Sequence, residues 1–354
     1  MSGDTIYALS SGAAPSGVAV VRVSGPAAGL CAERIAGLPR ESKPARALRL
    51  LRGEDGEPID RALILWFAGP HSFTGEDVVE FQVHGSRAVI QALFNFLNAI
   101  PGVRAAEAGA FARRAFANGK LDLSQAEGLA DLIAAETEGQ RRIALRAAGG
   151  AASIQAEEWR RALIAIQARV EAAIDFPDED LPQGLDAEAR GKLAALVASI
   201  DAGVRSGEQA VRILHGFDVA VIGAPNAGKS SLLNRLAGSD IAIVSEKAGT
   251  TRDIVEARLD LGGVPVTLAD TAGLREASND FEQEGVARAA RRAAAADLRL
   301  IVFDAATASG PAPEALVLSQ PGDIWVGNKS DLASGGPPEG GVVPVSAKTG
   351  AGID

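Results

Sequence analysis

One cysteine, one methionine and one tyrosine are all that this 354-residue sequence holds of those types. The lone thiol, Cys31, closes no internal disulfide, which fits a reducing compartment. It is expected as a small apolar side chain in a helix. Aromatic residues are only 4% of the chain, so the cores must be built from Ala, Leu, Val and Ile. No apolar run approaches the ~18 residues that span a bilayer. The opening MSGDTIYALSS lacks the basic segment and apolar core of a secretory leader. A cytoplasmic protein with no membrane segment is therefore expected. Positive charge is also short: the net charge is −10. Residues 1–120 carry 13 Lys and Arg against 11 Asp and Glu, and the remainder 22 against 34. A protein that coats nucleic acid without specificity would be basic. Contact with nucleic acid must here be local or made through a partner.

What is present falls into three regions. Residues 1–120 mix short β-rich runs with turns: Gly17–Val23, Ala62–Phe67 and Val78–His84 read as strands. Ser86–Leu97 has helical spacing, with Val89, Leu93 and Phe96 on one face. An α+β domain is expected there. Residues 121–215 read as all-α. Trp159, Leu163, Ile166, Val170 and Ile174 recur at threes and fours, as do Leu193, Leu196, Val197, Ile200 and Val204. Leu121–Ala148 is a third helical candidate, with Gly149-Gly150 and Pro177–Gly184 as breaks. Residues 216–354 alternate strand and helix patterns, predicting a largely parallel α/β domain. Phe217–Ile222, Val264–Ala269, Leu298–Phe303 and Ile324–Val326 are nearly continuous apolar runs, suited to strands buried on both faces.

The third region carries the chemistry. Gly223-Ala224-Pro225-Asn226-Ala227-Gly228-Lys229-Ser230 fits GxxxxGK[ST] between a strand and a helix, the context of a P-loop. Glycines let backbone N–H groups curl around phosphate oxygens, and the helix N-terminus adds its dipole. Lys229 then reaches the β and γ phosphates and the Ser230 hydroxyl coordinates Mg2+, with Ser231 next in the helix. Asp270-Thr271-Ala272-Gly273 ends another apolar strand: Asp270 can hold the magnesium through its water shell, and the Gly273 N–H can sense the γ-phosphate. Asn328-Lys329-Ser330-Asp331 closes a further strand. The Asp331 carboxylate only accepts, which suits the N1–H and N2–H₂ donors of guanine and selects GTP over ATP. Ser346-Ala347-Lys348 follows, where a backbone N–H could meet the guanine O6. Thr251, in Gly249-Thr250-Thr251-Arg252-Asp253, is the natural second magnesium hydroxyl. Five elements in this order and spacing predict a P-loop GTPase.

One residue of that pattern is missing. Ras-like switches place after the DxxG motif a Gln that orients the attacking water; here Leu274 stands there. Asn226 offers another route, a side-chain carbonyl that could hold a monovalent cation against the phosphates, with backbone carbonyls of the Ser239–Thr250 loop completing the shell. Glu282, near the start of a later helix, could position water.

Beyond the GTPase motifs, VAVVRVSG (18–25), HSFTGEDVVEFQVHG (71–85) and FARRAFANGKLDLSQAEGLADLI (111–133) are very similar to the bacterial tRNA-modification GTPase family, MnmE or TrmE. So are GAPNAGKSSLLN (223–234), AGTTRD (248–253) and DTAGLREA (270–277). The resemblance covers essentially the whole chain. It implies that residues 1–120 bind a folate, 5-formyl- or 5,10-methylene-tetrahydrofolate, at the matching positions Arg22, Glu80 and Lys120, and form a homodimer. It implies K+ ligands at Asn226, Ser245, Lys247 and Thr250, those of Ser245 and Lys247 through backbone carbonyls, and water orientation by Glu282. It further implies an FAD-dependent partner, MnmG or GidA, in a heterotetramer that acts on C5 of the tRNA wobble uridine (U34), giving an aminomethyl or carboxymethylaminomethyl uridine. The family ends in further helices and a Cys-x-Gly-Lys tail, whereas this sequence runs to Ile353-Asp354. The last GTPase helix and the C-terminal half of the helical domain are on that comparison expected outside this chain. The alternative is a potassium-stimulated regulatory GTPase of the ribosome-assembly type, which would have no use for Arg22, Glu80 and Lys120 in a folate setting.

Overall fold

Alternation of apolar and polar residues in the first region produces a six-stranded sheet. The computed structural model describes residues 3–39, 45–175, 185–239, 241–243, 256–270, 291–308, 310–333 and 341–353. The strands β1 (Thr5–Leu9), β2 (Ser16–Ser24), β3 (Ala45–Arg52), β4 (Pro58–Phe67), β5 (Val78–Gly85) and β6 (Val103–Ala105) lie in the order β3-β4-β5-β2-β1-β6. All neighbours are antiparallel except β1 and β6. Helices α1 (Ala28–Ala36) and α2 (Arg87–Asn98) supply the rest of a core holding Trp66, Phe81, Ile64, Leu93 and Leu97. The three predicted strands fall inside β2, β4 and β5. The helix expected from Ser86 is α2, and the Ser86 hydroxyl caps it by accepting the Val89 N–H. Cys31 lies in α1, fully buried, and burial pushes its thiol up to about 11, as an inert apolar filler requires. The strand β3, ARALRLLR, escapes a pattern reading because Leu51 alone of its residues is buried. Helix α3 (Ala110–Ala117) closes this region.

The stretch expected as one helix over Leu121–Ala148 is two: α4 (Leu123–Ala134) and α5 (Glu138–Ala148). Thr137 breaks it by adopting extended backbone (φ −122°, ψ 160°) and capping α5 in a capping box with Gln140. Gly149 and Gly150 form the next break, as expected, and the break expected over Pro177–Gly184 lies outside the described residues. Two long helices follow, α6 (Ala151–Asp175) and α7 (Leu185–His215). Their contact buries Ile166, Ala189 and Leu196, with Trp159 packed alongside. The indole N–H of Trp159 donates to Ser199 Oγ at 3.0 Å. The rest of the apolar stripe stays open: Leu163 is 50% and Ile174 69% exposed. One helix pair covers a narrower line than these residues define.

The second sheet has the order β12-β11-β10-β7-β9-β8, from β7 (Phe217–Ile222), β8 (Glu256–Leu261), β9 (Val264–Asp270), β10 (Leu298–Asp304), β11 (Ile324–Asn328) and β12 (Val343–Pro344). It is parallel except for the β8–β9 hairpin. Along β7, Val219 and Val221 enter one core with Leu232, Leu233 and Leu268, while Ala220 and Ile222 enter another with Ile301. Two-sided burial is why these runs read as continuous rather than alternating. Trp325 packs against the second of these cores. Helix α8 (Lys229–Ala237) follows β7, and a single turn, α9 (Pro313–Leu316), precedes β11. Arg299 of β10 is buried and clasps Asp323 with its Nε at 2.8 and 2.9 Å from the two carboxylate oxygens. The remaining guanidinium nitrogens reach the Ala293 carbonyl at 3.0 Å and Gln320 Oε1 at 2.9 Å.

The chain divides into two compact units, Met1–Glu127 and Gly128–Asp354, the second holding both the helical stretch and the parallel sheet. Among the described residues no helix is long and apolar enough to cross a membrane.

Candidate nucleotide and ligand sites

Parallel strands aim their C-terminal ends one way, and the ends of β7, β9 and β11 carry the signature residues. After β7 the chain turns through Gly223–Gly228 into α8. Asn226 (φ 61°) and Gly228 (φ 89°) take left-handed backbone there. Asn tolerates that region, whereas Gly228 has a second constraint: a Cβ on it would overlap the Asn328 amide. Lys229 is buried, and its ammonium donates to the carbonyls of Gly223 (2.8 Å) and Ala224 (3.0 Å). The charge is thus held under the loop that phosphates would occupy. Ser230 Oγ donates to Asp270 Oδ2 at 2.9 Å. A hydroxyl and a carboxylate oxygen side by side are hard donors, which suits a Mg2+ that Ser230 would ligate and Asp270 would hold through water, shared with phosphates rather than caged by protein. Among the described residues there is no cluster of three or more His, Cys, Asp or Glu that could form such a cage.

The base-reading end is built around Asn328. Its side chain is almost fully buried and works as a staple. Nδ2 donates to the Ala227 carbonyl at 2.9 Å, and Oδ1 accepts the Ala347 N–H at 3.0 Å. The phosphate loop and the Ser346–Lys348 turn are thereby fixed to one side chain. The Ala347 N–H, a candidate donor to guanine O6, is thus engaged by Asn328. Asp331 is exposed, and its Oδ1 accepts the Ser346 hydroxyl at 2.6 Å, which fixes the carboxylate plane. Lys329 (φ 62°) donates from Nζ to Asp304 Oδ2 at 2.6 Å. That ammonium holds the Asp304 carboxyl below its usual range. Asp304 follows no motif and went unmarked in the sequence; only the β10–β11 pairing brings it opposite. Ser231 is exposed in the first turn of α8. Ser245, Lys247, Thr250, Thr251, Thr271, Ala272, Gly273, Leu274 and Glu282 lie outside the described residues. Of the four expected potassium ligands, Asn226 alone is described.

In the first unit, Arg22 and Glu80 are register partners on β2 and β5. Rather than standing apart, they bind each other: Arg22 Nε lies 2.8 Å from Glu80 Oε1. The guanidinium also stands 5.3 Å from the Phe73 ring centre and 5.6 Å from that of Phe111. Such contacts favour a flat cation over π faces. Neither ring was marked in the sequence. Phe73 belongs to the loop between β4 and β5, which Arg114 and Asn118 of the α3 segment pin down through Glu76 and the Thr74 carbonyl. Lys120 is exposed, and its Cγ would lie 3.2 Å from a Cβ built on Gly75 of that same loop. One loop therefore touches both ends of the expected set.

The sequence profile described as "GTP-binding protein TrmE N-terminus" matches residues 5–120, and that of the "MnmE helical domain" matches residues 123–354. The tRNA modification GTPase MnmE of Parvibaculum lavamentivorans is 52% identical over 99% of this chain and 80% of its own length. That of Brucella anthropi is 50% identical over 99% of this chain and 78% of its own length. Among solved structures, Era in complex with MgGDPNP and nucleotides of 16S ribosomal RNA is 30% identical over 39% of this chain and 53% of that chain. Its TM-score, 0.29, is too low to bear on the fold.

Proposed function

Because this chain belongs to the tRNA modification GTPase MnmE family, we propose that its GTP hydrolysis drives C5 modification of the wobble uridine, U34, of tRNA. The observation that carries the nucleotide half is the convergence of Lys229, the Ser230–Asp270 pair and the Asn328 staple at one edge of the parallel sheet. In this reading Lys229 meets the β and γ phosphates, Ser230 and Thr251 ligate Mg2+, and Asp331 reads the guanine. Magnesium, when bound, neutralises charge on the β and γ oxygens. The proposal keeps three functional regions: 1–120 for folate and dimerisation, 121–215 helical, 216–354 for GTP. The chain acts in the cytoplasm as a homodimer with tRNA and an FAD-dependent partner. Leu48 and Leu63, register partners on β3 and β4, are 55% and 36% exposed and support an apolar face for a second copy.

In this reading Glu282 orients the attacking water in place of the missing Gln, and Asn226 helps hold a potassium ion that would stabilise charge on the phosphates. Hydrolysis is expected to run severalfold faster in potassium than in sodium at equal ionic strength, in a steady-state phosphate-release assay of the chain. Equal rates in the two salts would remove Asn226 from the mechanism.

The folate half rests on the Arg22–Glu80 pair and its two rings, with Lys120 against the loop that carries Phe73. A folate offers carboxylates for Lys120, and a pterin edge and face for Glu80 and the rings. Lys120→Ala is expected to weaken 5-formyl-tetrahydrofolate binding about tenfold, the loss of one charge-assisted hydrogen bond, with GTP affinity unchanged. Equilibrium dialysis of both ligands checks it; an equal loss of GTP affinity would show the two sites coupled.

A further inference from the structure

Two buried polar side chains far from the nucleotide residues join the helical stretch to the parallel sheet. Thr137 is 4% and Gln140 9% exposed. As the capping box of α5 they would need only each other. Each also reaches out of the helix. The Thr137 hydroxyl donates to the Gly263 carbonyl at 2.7 Å, in the turn between β8 and β9. The Gln140 amide donates from Nε2 to the Leu214 carbonyl at 2.8 Å, near the end of α7 and just before β7. The other end of that amide, Oε1, accepts the N–H groups of Glu136 (2.8 Å) and Thr137 (3.0 Å), so its orientation is fixed from both sides. Between them, Gly139 lies so close to the hairpin turn that a Cβ on it would overlap the Gly263 carbonyl. Glu136 pairs with Arg258 of β8 at 2.9 Å, an exposed bridge that adds little by itself.

The two carbonyls held by this corner stand at the entrances of β7 and β9. These strands are hydrogen-bonded in parallel register from Phe217↔Val266 to Val221↔Asp270. At their exits, about 20 Å away at ~3.3 Å per residue, stand the phosphate loop and Asp270. A strand buried in a sheet transmits an axial shift better than a loop does, because its ladder resists bending. Buried polar groups with every partner in place also hold one geometry and no near alternative.

We propose that Thr137 and Gln140 are positioning residues for GTP hydrolysis, setting from the helical side the placement of β7 and β9 and, through them, of Lys229, Ser230 and Asp270. Capping and positioning can be separated at Thr137. Thr137→Asp keeps a good N-cap acceptor for α5, but sets a carboxylate with no proton to donate against the Gly263 carbonyl. Thr137→Ser keeps both roles. Gly139→Ala pushes the hairpin away and leaves both polar side chains intact.

The test is the steady-state GTPase of the whole chain carrying each substitution, with thermal midpoints measured alongside. Thr137→Asp and Gly139→Ala are expected to lower kcat roughly five- to tenfold, the weight of one buried hydrogen bond. KM for GTP should stay within about twofold, and Thr137→Ser should match the unsubstituted protein. Wild-type kcat in both Thr137→Asp and Gly139→Ala overturns the proposal. So does a kcat loss in Thr137→Ser, and so does a kcat loss that tracks a lowered midpoint, which would mark the corner as structural only.

Discussion

Asp331→Asn is expected to exchange GTP for xanthosine triphosphate. Asp331 is exposed, beyond the end of β11, with one oxygen held by the Ser346 hydroxyl. The carboxylate therefore presents acceptors in a fixed plane, which match the N1–H and N2–H₂ edge of guanine. An amide at that position puts an N–H₂ donor where guanine also has donors. Xanthine carries a carbonyl at C2 and accepts from that amide. Hydrogen bonds to a charged group are worth ~1.5–3 kcal/mol each. Losing two of them lowers GTP affinity by about two to four orders of magnitude, with a gain for xanthosine triphosphate of similar size. Ser346 can pair with an amide oxygen as it does with the carboxylate, so the loop should keep its shape. Titration with both fluorescent nucleotides reads the exchange. GTP affinity within twofold of the parent would remove Asp331 as the base reader.

The largest expected loss of stability is at Arg299→Met. The Arg299 and Asp323 side chains are 5% and 1% exposed, between β10 and the start of β11. Methionine fills the aliphatic volume but leaves the Asp323 carboxylate without its counter-charge. Two backbone N–H groups, of Arg299 (3.2 Å) and Gln320 (2.6 Å), remain on it. Breaking a buried pair from one side costs ~3–5 kcal/mol, against ~5–15 kcal/mol for a whole domain. The urea midpoint of the second unit should fall accordingly with an unchanged slope. Removing both charges in Arg299→Met with Asp323→Asn should restore much of it, since the neutral amide needs no counter-charge and its oxygen still accepts a backbone N–H. A loss below about 1 kcal/mol, the range of exposed pairs, would contradict the burial argument.

Residues that act through local spacing were legible in the sequence. The phosphate loop is one, because its glycines and Lys229 lie within a single turn of chain. The strand cores Val219–Ile222 and Ile301–Phe303 are another, because two-sided burial leaves continuous apolar runs. Pairings set by register were not legible. Arg22 and Glu80 are 58 positions apart, and only the β2–β5 alignment makes them partners. They stand in the sequence as two separate positions and in the structure as one ion pair whose guanidinium lies near two rings. The hydrogen bonds by which Asn328 ties the phosphate loop to the Ser346–Lys348 turn were not legible either, because only strand order brings β11 near the loop after β7. The α4–α5 break was readable in principle. Thr137 and Gln140 have the S/T-x-x-E/Q spacing of a capping box, masked by the alanine-rich helix pattern on both sides.

The scarcity of aromatics has a spectroscopic consequence. The three tryptophans, Trp66, Trp159 and Trp325, fall one to each region. Trp66 is sealed in the first core, Trp159 leans on the α6–α7 contact, and Trp325 borders one face of the parallel sheet. With a single tyrosine in the chain, ultraviolet emission comes almost wholly from these indoles. Replacing any two by phenylalanine leaves a protein whose fluorescence reports one region alone. Three such proteins would record, without added dye or label, the order in which the regions melt and which of them responds when nucleotide or folate is mixed in.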